Sequence, residues 1–173
     1  MHSWCGIRVV CIKLRRSTLY FTNSTQGLLA RIEINHGGKA AGKAIVIANA
    51  AAGATYDDFA LDWRGDPFIA TGPCNAIEMV GRGVDPRAII ARNINTTEIA
   101  EPTAAQSGGM WGDRDILYAT MGGVLIAPVE GDEIIGGQLL AADTNGLREA
   151  LAARWGVGLV ISLMKPVYQQ NCT

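Results

Sequence analysis

The sequence predicts an all-β fold: a partial β-propeller of about three four-stranded antiparallel blades, followed by an irregular or partly helical tail. Three segments, residues 17–34, 65–80 and 114–129, share an alternating β-type run, a polar turn and a second β-type run. Aligning Tyr20, Phe68 and Tyr118 gives steps of 48 and 50 residues. The 21 glycines also favour many turns over long helices.

Further strand candidates flank each repeated pair and complete four strands per unit. The preceding candidates are residues 6–12, 57–62 and 101–106, and the following ones are 43–50, 88–94 and 136–144. A single four-stranded sheet has two apolar faces that it cannot bury alone, so neighbouring units must cover each other. A period near 50 residues with four strands per unit indicates a propeller blade.

Three units do not close a propeller, so residues 1–144 are predicted to form part of one and to self-associate through open blade edges. Residues 145–173 are predicted to form a separate tail. The tail begins with a helical pattern, because Leu147, Ala150 and Leu151 fall at i, i+3 and i+4. An incomplete propeller fragment without catalytic activity, or a binding module, is an alternative that this organisation leaves open.

Composition excludes several classes of function. The net charge is −1 and the overall balance is neither basic nor acidic, so a nucleic-acid partner is not expected. No apolar run has the length that spans a bilayer, and the apolar stretch at 6–12 is too short for a secretory signal and contains Arg8. Four scattered cysteines without a CxxC pair do not indicate a disulfide scaffold.

The strongest catalytic candidate is Asp57, at the start of a strand that would lie next to the propeller channel, and the neighbouring Asp58 is predicted to contact substrate. Asp57 is interpreted either as a general base or as a residue that caps a turn. Strand alternation predicts that only one of the two side chains faces the channel. Asp62 and Asp66 flank a tight hairpin and are predicted to be turn residues.

Other candidates follow from the same place in the neighbouring units. Glu101 and Thr103 open the next such strand, at the position taken as equivalent to Asp57, and are predicted to contact substrate. Cys5 is assigned to this place in the first unit, either near substrate or as a small buried residue. His36 lies in a Gly-rich turn and is predicted to be exposed.

Several stretches resemble a known family. "DDFALDWRGDPFIATGPCNAI", "STLYFTNSTQGLLARI" and the segment from "EPTAAQSGG" to "DRDILYATMGG" resemble the SMP-30/gluconolactonase/LRE-like six-bladed propellers, especially fungal members of secondary-metabolite pathways. The resemblance covers residues 6–144 and corresponds to the C-terminal half of such a propeller.

The resemblance implies two kinds of chemistry. Family hydrolases hold a divalent cation, Ca²⁺ or Zn²⁺, and "YDDFALD" places Asp57 at one ligand position, whereas Cys5 stands where the family has an asparagine. Other members are similar to hetero-Diels–Alderases, which need no metal and act by orientation and hydrogen bonding. The resemblance thus implies a small-molecule enzyme for cyclisation or isomerisation, with metal-dependent lactone hydrolysis as the alternative.

The location of the protein is not determined by the sequence. The family resemblance and the sequons at Asn23 and Asn95 suggest a secreted or endomembrane protein glycosylated at these two asparagines.

Overall fold

The computed structural model describes residues 9–81, 87–92, 99–123, 136–152 and 164–169. These residues form three four-stranded sheets, a short 3-10 helix (Gly72–Cys74) and one α-helix, α1 (Thr144–Ala152). The first sheet contains β1 (Val9–Arg15), β2 (Thr18–Asn23), β3 (Leu28–Glu33) and β4 (Ile45–Asn49). The second contains β5 (Phe59–Leu61), β6 (Pro67–Ala70), β7 (Ala76–Val80) and β8 (Arg87–Arg92), and the third contains β9 (Pro102–Ser107), β10 (Ile116–Met121), β11 (Gln138–Asp143) and β12 (Met164–Gln169).

The predicted fold class is confirmed, because in every sheet the strands lie side by side in chain order and pair antiparallel. Local sequence explains the turns between them. Asp62 accepts hydrogen bonds at Oδ1 from the N–H groups of Gly65 and Asp66, both at 2.7 Å, which closes the β5–β6 turn. Gly65 has φ of 91°, a left-handed conformation that favours glycine. Asp62 is therefore a turn residue, as predicted.

The third sheet differs from the expected strand assignment. The sequence pattern paired β10 with the apolar run that follows it, but β10 pairs with β11, and the expected partner lies in residues 124–135, outside the described residues. Both runs have a β-type pattern, so the pattern alone does not select between them. Leu140 and Ala142 of β11 are buried in the core, which accounts for the place of this strand in the sheet.

The predicted tail contributes to the same sheet. Its helical start is confirmed by α1, and Leu147 is fully buried in the core between the second and third sheets. β12 then pairs with β11 as the fourth strand of the third sheet. In the described part of the chain, no helix is long and apolar enough to cross a membrane.

The core lies between the sheets, and the second sheet is covered on both faces. Phe59 and Ile69 pack in a cluster with Leu29 and Ala48 of the first sheet. On the other side, the cluster between the second and third sheets contains Ala60, Phe68, Ile77, Ile90, Ile99, Ala105, Leu117, Ala119, Met121, Leu140, Ala142 and Leu147. Since β5 contacts both β1 and β9, the first strands of the three sheets lie together, and we call β1, β5 and β9 the inner strands.

Polar contacts join the second and third sheets at the end that carries the β5–β6 turn. Arg148 of α1 pairs with Asp62, whose side chain is fully buried, and with Asp66 at 3.1 Å. The guanidinium of Arg114 lies 4.7 Å from the ring centroid of Trp63, which places a cation–π contact across the same seam. These contacts fix how the inner strands are placed relative to each other.

Candidate functional site

A cavity of about 220 Å³ lies where the three inner strands meet. We call it the inner-strand cavity, and its lining consists of Lys13, Asp58, Ala104, Ala105, Gln106, Tyr118, Thr120 and Leu139. Strand register explains this set, since Gln106 is opposite Tyr118, and Thr120 is opposite both Ala104 and Leu139. Residues that are directly opposite share a face, so the open face of the third sheet forms most of the cavity wall.

Asp58 connects the inner strands of all three sheets. Its Oδ2 accepts a hydrogen bond from the Ala105 N–H of β9 at 3.1 Å, and its Oδ1 lies 3.6 Å from Nζ of Lys13 in β1. The N–H of Ala105 lies on an inner strand, so the carboxylate satisfies a donor at a sheet edge. Asp58 therefore holds the blades together and also places a carboxylate beside a lysine at the cavity.

Asp57 is half-buried next to Asp58, and its backbone N–H donates to the Ala70 carbonyl at 3.0 Å. Burial raises the pKa of the Asp57 carboxyl above its ordinary value, and the neighbouring Asp58 charge raises the pKa further. A carboxyl group with a raised pKa holds and releases a proton closer to neutral pH. Asp57 is thus suited to acid–base chemistry, although the cavity-lining residues that the structure describes include Asp58 and not Asp57.

Cys11 of β1 also meets Asp58. Burial raises the pKa of the Cys11 thiol to about 11, and a hydrogen bond to Asp58 contributes to the increase. At neutral pH this thiol is protonated, and a protonated thiol is a poor nucleophile. Cys11 therefore acts as a small group packed against the cluster between the first and second sheets rather than as a nucleophile.

The strand register defines equivalent positions in the three sheets. Tyr20 is opposite Lys13, and Tyr118 is opposite Gln106, so Lys13 and Gln106 occupy the same repeat position. Counting three residues back along each inner strand aligns Val10, Asp57 and Thr103.

By this count, Val10 and Thr103 stand at the repeat position of Asp57. The roles predicted for Glu101, Thr103 and Cys5 stay predictions. The ladder is irregular at the shared position: the register of β1 shifts between Val9 and Cys11. In the second sheet, the backbone N–H of Ala70 donates a hydrogen bond to the carbonyl of Asp58, and the carbonyl of Ala70 accepts one from the N–H of Asp57. A bulge re-aims side chains, so simple alternation does not apply to this aspartate pair.

Glu101 and Thr103 lie beside the cavity rather than in its wall. Glu101 is buried, and its φ of 56° is unusual for a residue with a side chain. The amide oxygen of Asn75 accepts a hydrogen bond from the Glu101 N–H at 2.8 Å, which stabilises this turn. Oγ1 of Thr103 lies 3.1 Å from Oγ1 of Thr120, so Thr103 orients a hydroxyl group that does line the cavity.

The remaining predicted residues fall elsewhere. Cys5 and Asn95 lie outside the described residues. Asn23 is 2% exposed, and its side chain exchanges hydrogen bonds with Gln26 at 3.1 and 3.2 Å. Because a glycan needs an accessible amide, this burial disfavours glycosylation at Asn23, and the glycan at Asn95 stays a prediction.

A divalent cation requires several ligand groups grouped around one point. Calcium takes six to eight oxygen ligands, and catalytic zinc takes three protein ligands. Within the described residues, no three His, Cys, Asp or Glu side chains are grouped so that they could hold a metal ion. Asp58, the nearest carboxylate to Asp57 in sequence, is already bonded to Lys13 and Ala105. These residues do not fit a metal site.

Sequence reasoning missed most of the cavity wall. Lys13, Gln106, Tyr118 and Thr120 supply its other polar groups. A gapless repeat alignment does not reveal the match between Lys13 and Gln106, because Tyr20 follows Lys13 by 7 residues whereas Tyr118 follows Gln106 by 12. A wider cavity of about 510 Å³ adjoins the exposed His36, and it shares no described lining residue with the inner-strand cavity.

Comparisons with known proteins concern the fold. No protein-family model and no curated protein sequence matches the chain. A solved structure of a luciferin-regenerating enzyme matches with a TM-score of 0.58 and 13% identity, over 76% of this chain and 43% of that one. Regucalcin from Agrobacterium tumefaciens strain C58, described as a calcium-binding protein, matches with a TM-score of 0.46 and 19% identity, over 65% of this chain and 37% of that one.

The chain thus spans less than half the length of either solved structure. At 13% identity, the likeness to the luciferin-regenerating enzyme concerns the fold alone. It supports the resemblance noted in the sequence at this coarser level. The three stacked four-stranded sheets form part of a β-propeller, similar to that of the luciferin-regenerating enzyme.

Proposed function

We propose that this chain is part of a small-molecule enzyme that binds its substrate in the inner-strand cavity and catalyses an isomerisation or a cyclisation. The observation that carries the proposal is the composition of the cavity wall. An ammonium group, a carboxylate, an amide and two hydroxyl groups converge beside Ala104, Ala105 and Leu139. Small-molecule sites combine apolar walls with a few placed polar groups in this way.

The charges and donors of the wall suit a substrate with a carbonyl group. The Lys13 ammonium and the hydroxyl groups of Tyr118 and Thr120 are positioned to donate to an oxygen that gains negative charge. Such donors are most effective in a site that excludes water, where they do not have to reorganise during the reaction. The volume of about 220 Å³ limits the part of the substrate held here to a single ring or a short chain.

Asp57 supplies the acid–base function in this proposal. As a carboxylate it accepts a proton from the carbon next to a carbonyl, and the electron pair moves to the carbonyl oxygen. As a carboxylic acid it then returns the proton to another carbon of the same conjugated system. The reaction is an isomerisation without net change in atoms or charge, and the raised pKa of Asp57 favours the protonated intermediate state of the enzyme.

The finer assignment rests on the sequence resemblance. A role in fungal secondary metabolism, and the likeness to hetero-Diels–Alderases, come from the resemblance of residues 6–144 to those proteins. A cyclisation of that kind depends on orientation and hydrogen bonding, which the cavity wall provides. Metal-dependent lactone hydrolysis remains the alternative, and it has no support from a group of three His, Cys, Asp or Glu side chains in the described residues.

The test uses the chain with small cyclic enones and lactones as probes. Binding is measured by saturation-transfer NMR for the wild type, for Leu139→Trp, which fills the cavity, and for Met110→Trp, an exposed control outside it. We expect enone binding that is lost in Leu139→Trp and kept in Met110→Trp. Binding that persists in Leu139→Trp would contradict the proposal.

Turnover of the bound probes separates an enzyme from a binding module. We expect Asp57→Asn to keep binding and to lower the isomerisation rate about 100-fold or more, because general acid–base groups contribute on this scale. Glu149→Gln, an exposed carboxylate on α1, is the matched control. Binding without turnover in the wild type would favour the binding-module alternative.

A further inference from the structure

Exposed apolar side chains concentrate on the first sheet. Ile12 is 58% exposed and Leu14 is 62% exposed. Ile12 is opposite Phe21, which is opposite Ala30, which is opposite Val46, so these side chains share one face. It is the face turned away from the second sheet, and we call it the outer face of the first sheet.

The other end of the stack carries a second uncovered face. The open face of the third sheet presents Ala104, Gln106, Tyr118, Thr120 and Leu139, the same residues that form most of the inner-strand cavity. The opposite face of the third sheet is buried against the second sheet through Ala105 and Leu117. Within the part of the chain that the structure describes, the three-sheet stack therefore has one uncovered face at each end.

The repeat shows that these two faces are complementary. In the register of the first sheet, the pair next to the one that contains Tyr20 is Ile12–Phe21. In the second sheet, the pair next to the one that contains Phe68 is Phe59–Ile69. Ile12 and Phe59 therefore occupy equivalent positions. Two residues after Tyr20 and after Tyr118 are Thr22 and Thr120, which are opposite Leu29 and Leu139. Leu139 and Leu29 therefore occupy equivalent positions.

Leu29 and Phe59 already meet inside the chain. Both are fully buried in one cluster across the seam between the first and second sheets. The open face of the third sheet, with Leu139, therefore corresponds to the face of the first sheet that carries Leu29. The outer face of the first sheet, with Ile12, corresponds to the face of the second sheet that carries Phe59.

We propose that two copies of this chain close into a ring of six sheets. The outer face of the first sheet of each copy covers the open face of the third sheet of the other copy. The new seams repeat the packing seen between the first and second sheets, with Leu139 of one copy against Ile12 of the second copy. The second copy then forms the missing wall of the inner-strand cavity.

The area available is sufficient for a stable pair. Four strands spaced about 4.8 Å apart, with about six residues of about 3.3 Å each, give a face of roughly 400 Å². A closed ring contains two seams, so each copy contributes about 800 Å², which is the usual contribution to a stable interface. The match over 43% of the luciferin-regenerating enzyme agrees with this, because two copies would span most of that fold.

Charge substitutions test the ring by complementation, with mass measured by light scattering after size-exclusion chromatography. The wild type should be a dimer. Ile12→Lys alone and Leu139→Glu alone should each be monomers, because both seams of each homodimer are disrupted. An equimolar mixture should recover a dimer, because one seam then pairs Lys with Glu and the other is wild type. Met110→Lys, at an exposed turn residue, should stay dimeric.

Each outcome supports or overturns the ring. A monomeric wild type, or an open series of larger species, would overturn it, since a seam that does not close produces filaments. A Leu139→Glu variant that stays dimeric would show that the first sheets meet each other instead. Circular dichroism and cooperative thermal unfolding of both variants confirm that they are folded, and recovery of the dimer on mixing shows this independently.

Discussion

Replacing Asp58 by alanine should destabilise the protein measurably, because this side chain connects three sheets. Its carboxylate accepts the Ala105 N–H at 3.1 Å, and a hydrogen bond to a charged group contributes about 1.5–3 kcal/mol. The Lys13 pair at 3.6 Å adds less than about 1 kcal/mol, since the two side chains are 29% and 21% exposed and solvent screens their charges. The expected decrease in unfolding free energy is about 2–3 kcal/mol.

Two further variants separate the hydrogen bond from the charge. Asp58→Asn keeps an oxygen acceptor for the Ala105 N–H and should cost about 1 kcal/mol. In a double-mutant cycle with Lys13→Met, the coupling energy should stay below about 1 kcal/mol.

Urea unfolding monitored by circular dichroism measures these quantities, with the exposed Glu149→Ala as the control. The slope m should stay constant while the midpoint falls. A cost below about 0.5 kcal/mol for Asp58→Ala would refute the view that this carboxylate joins the inner strands.

Three other predictions concern individual side chains. The raised pKa of Asp57 means that its stabilising contribution is present below the ordinary value of 3.8 and is lost as pH rises through the raised pKa. Asp57→Asn should therefore match the wild-type Tm near pH 3 and exceed it at pH 7, and an equal Tm at both would contradict this assignment. Because the pKa of Cys11 is raised to about 11, its thiol should react slowly with iodoacetamide at pH 7.5 in the folded protein and at an ordinary rate in guanidinium. Peptide mass spectrometry measures the labelling. Fast labelling of the folded protein would be inconsistent with the burial of Cys11. Arg148→Met should cost roughly 3 kcal/mol in urea unfolding because it leaves the buried Asp62 carboxylate without its cation, and Asp62→Asn in the same chain should recover part of the loss.

The fold class was predictable because strand alternation and the repeat survive in the sequence. The repeat that aligns Tyr20, Phe68 and Tyr118 located one equivalent strand in each sheet, because each of these residues lies in the second strand of its sheet. The third strand of the last sheet was not predictable, since two apolar runs competed and only the burial of Leu140 selects one. The boundary proposed after residue 144 stays a prediction, with β12 contributing to the third sheet.

The candidate site was only partly predictable. Asp58 was identified from the paired carboxylates, and it does line the cavity. Its partners Lys13 and Ala105 come from sheets distant in sequence, so only the packing of the inner strands brings them together. Glu101 and Thr103 were placed together at the start of the third inner strand, and only the strand register shows that Thr103 is the one that matches Asp57.

The most direct test of the account is to map a bound small molecule onto the inner-strand cavity. Two-dimensional ¹⁵N–¹H NMR of the chain titrated with cyclohexenone reports which amide groups change. The account predicts saturable shifts at Ala105, Gln106 and Thr120 that disappear in Leu139→Trp. Shifts confined to the turn around His36, or shifts that persist unchanged in Leu139→Trp, would contradict it.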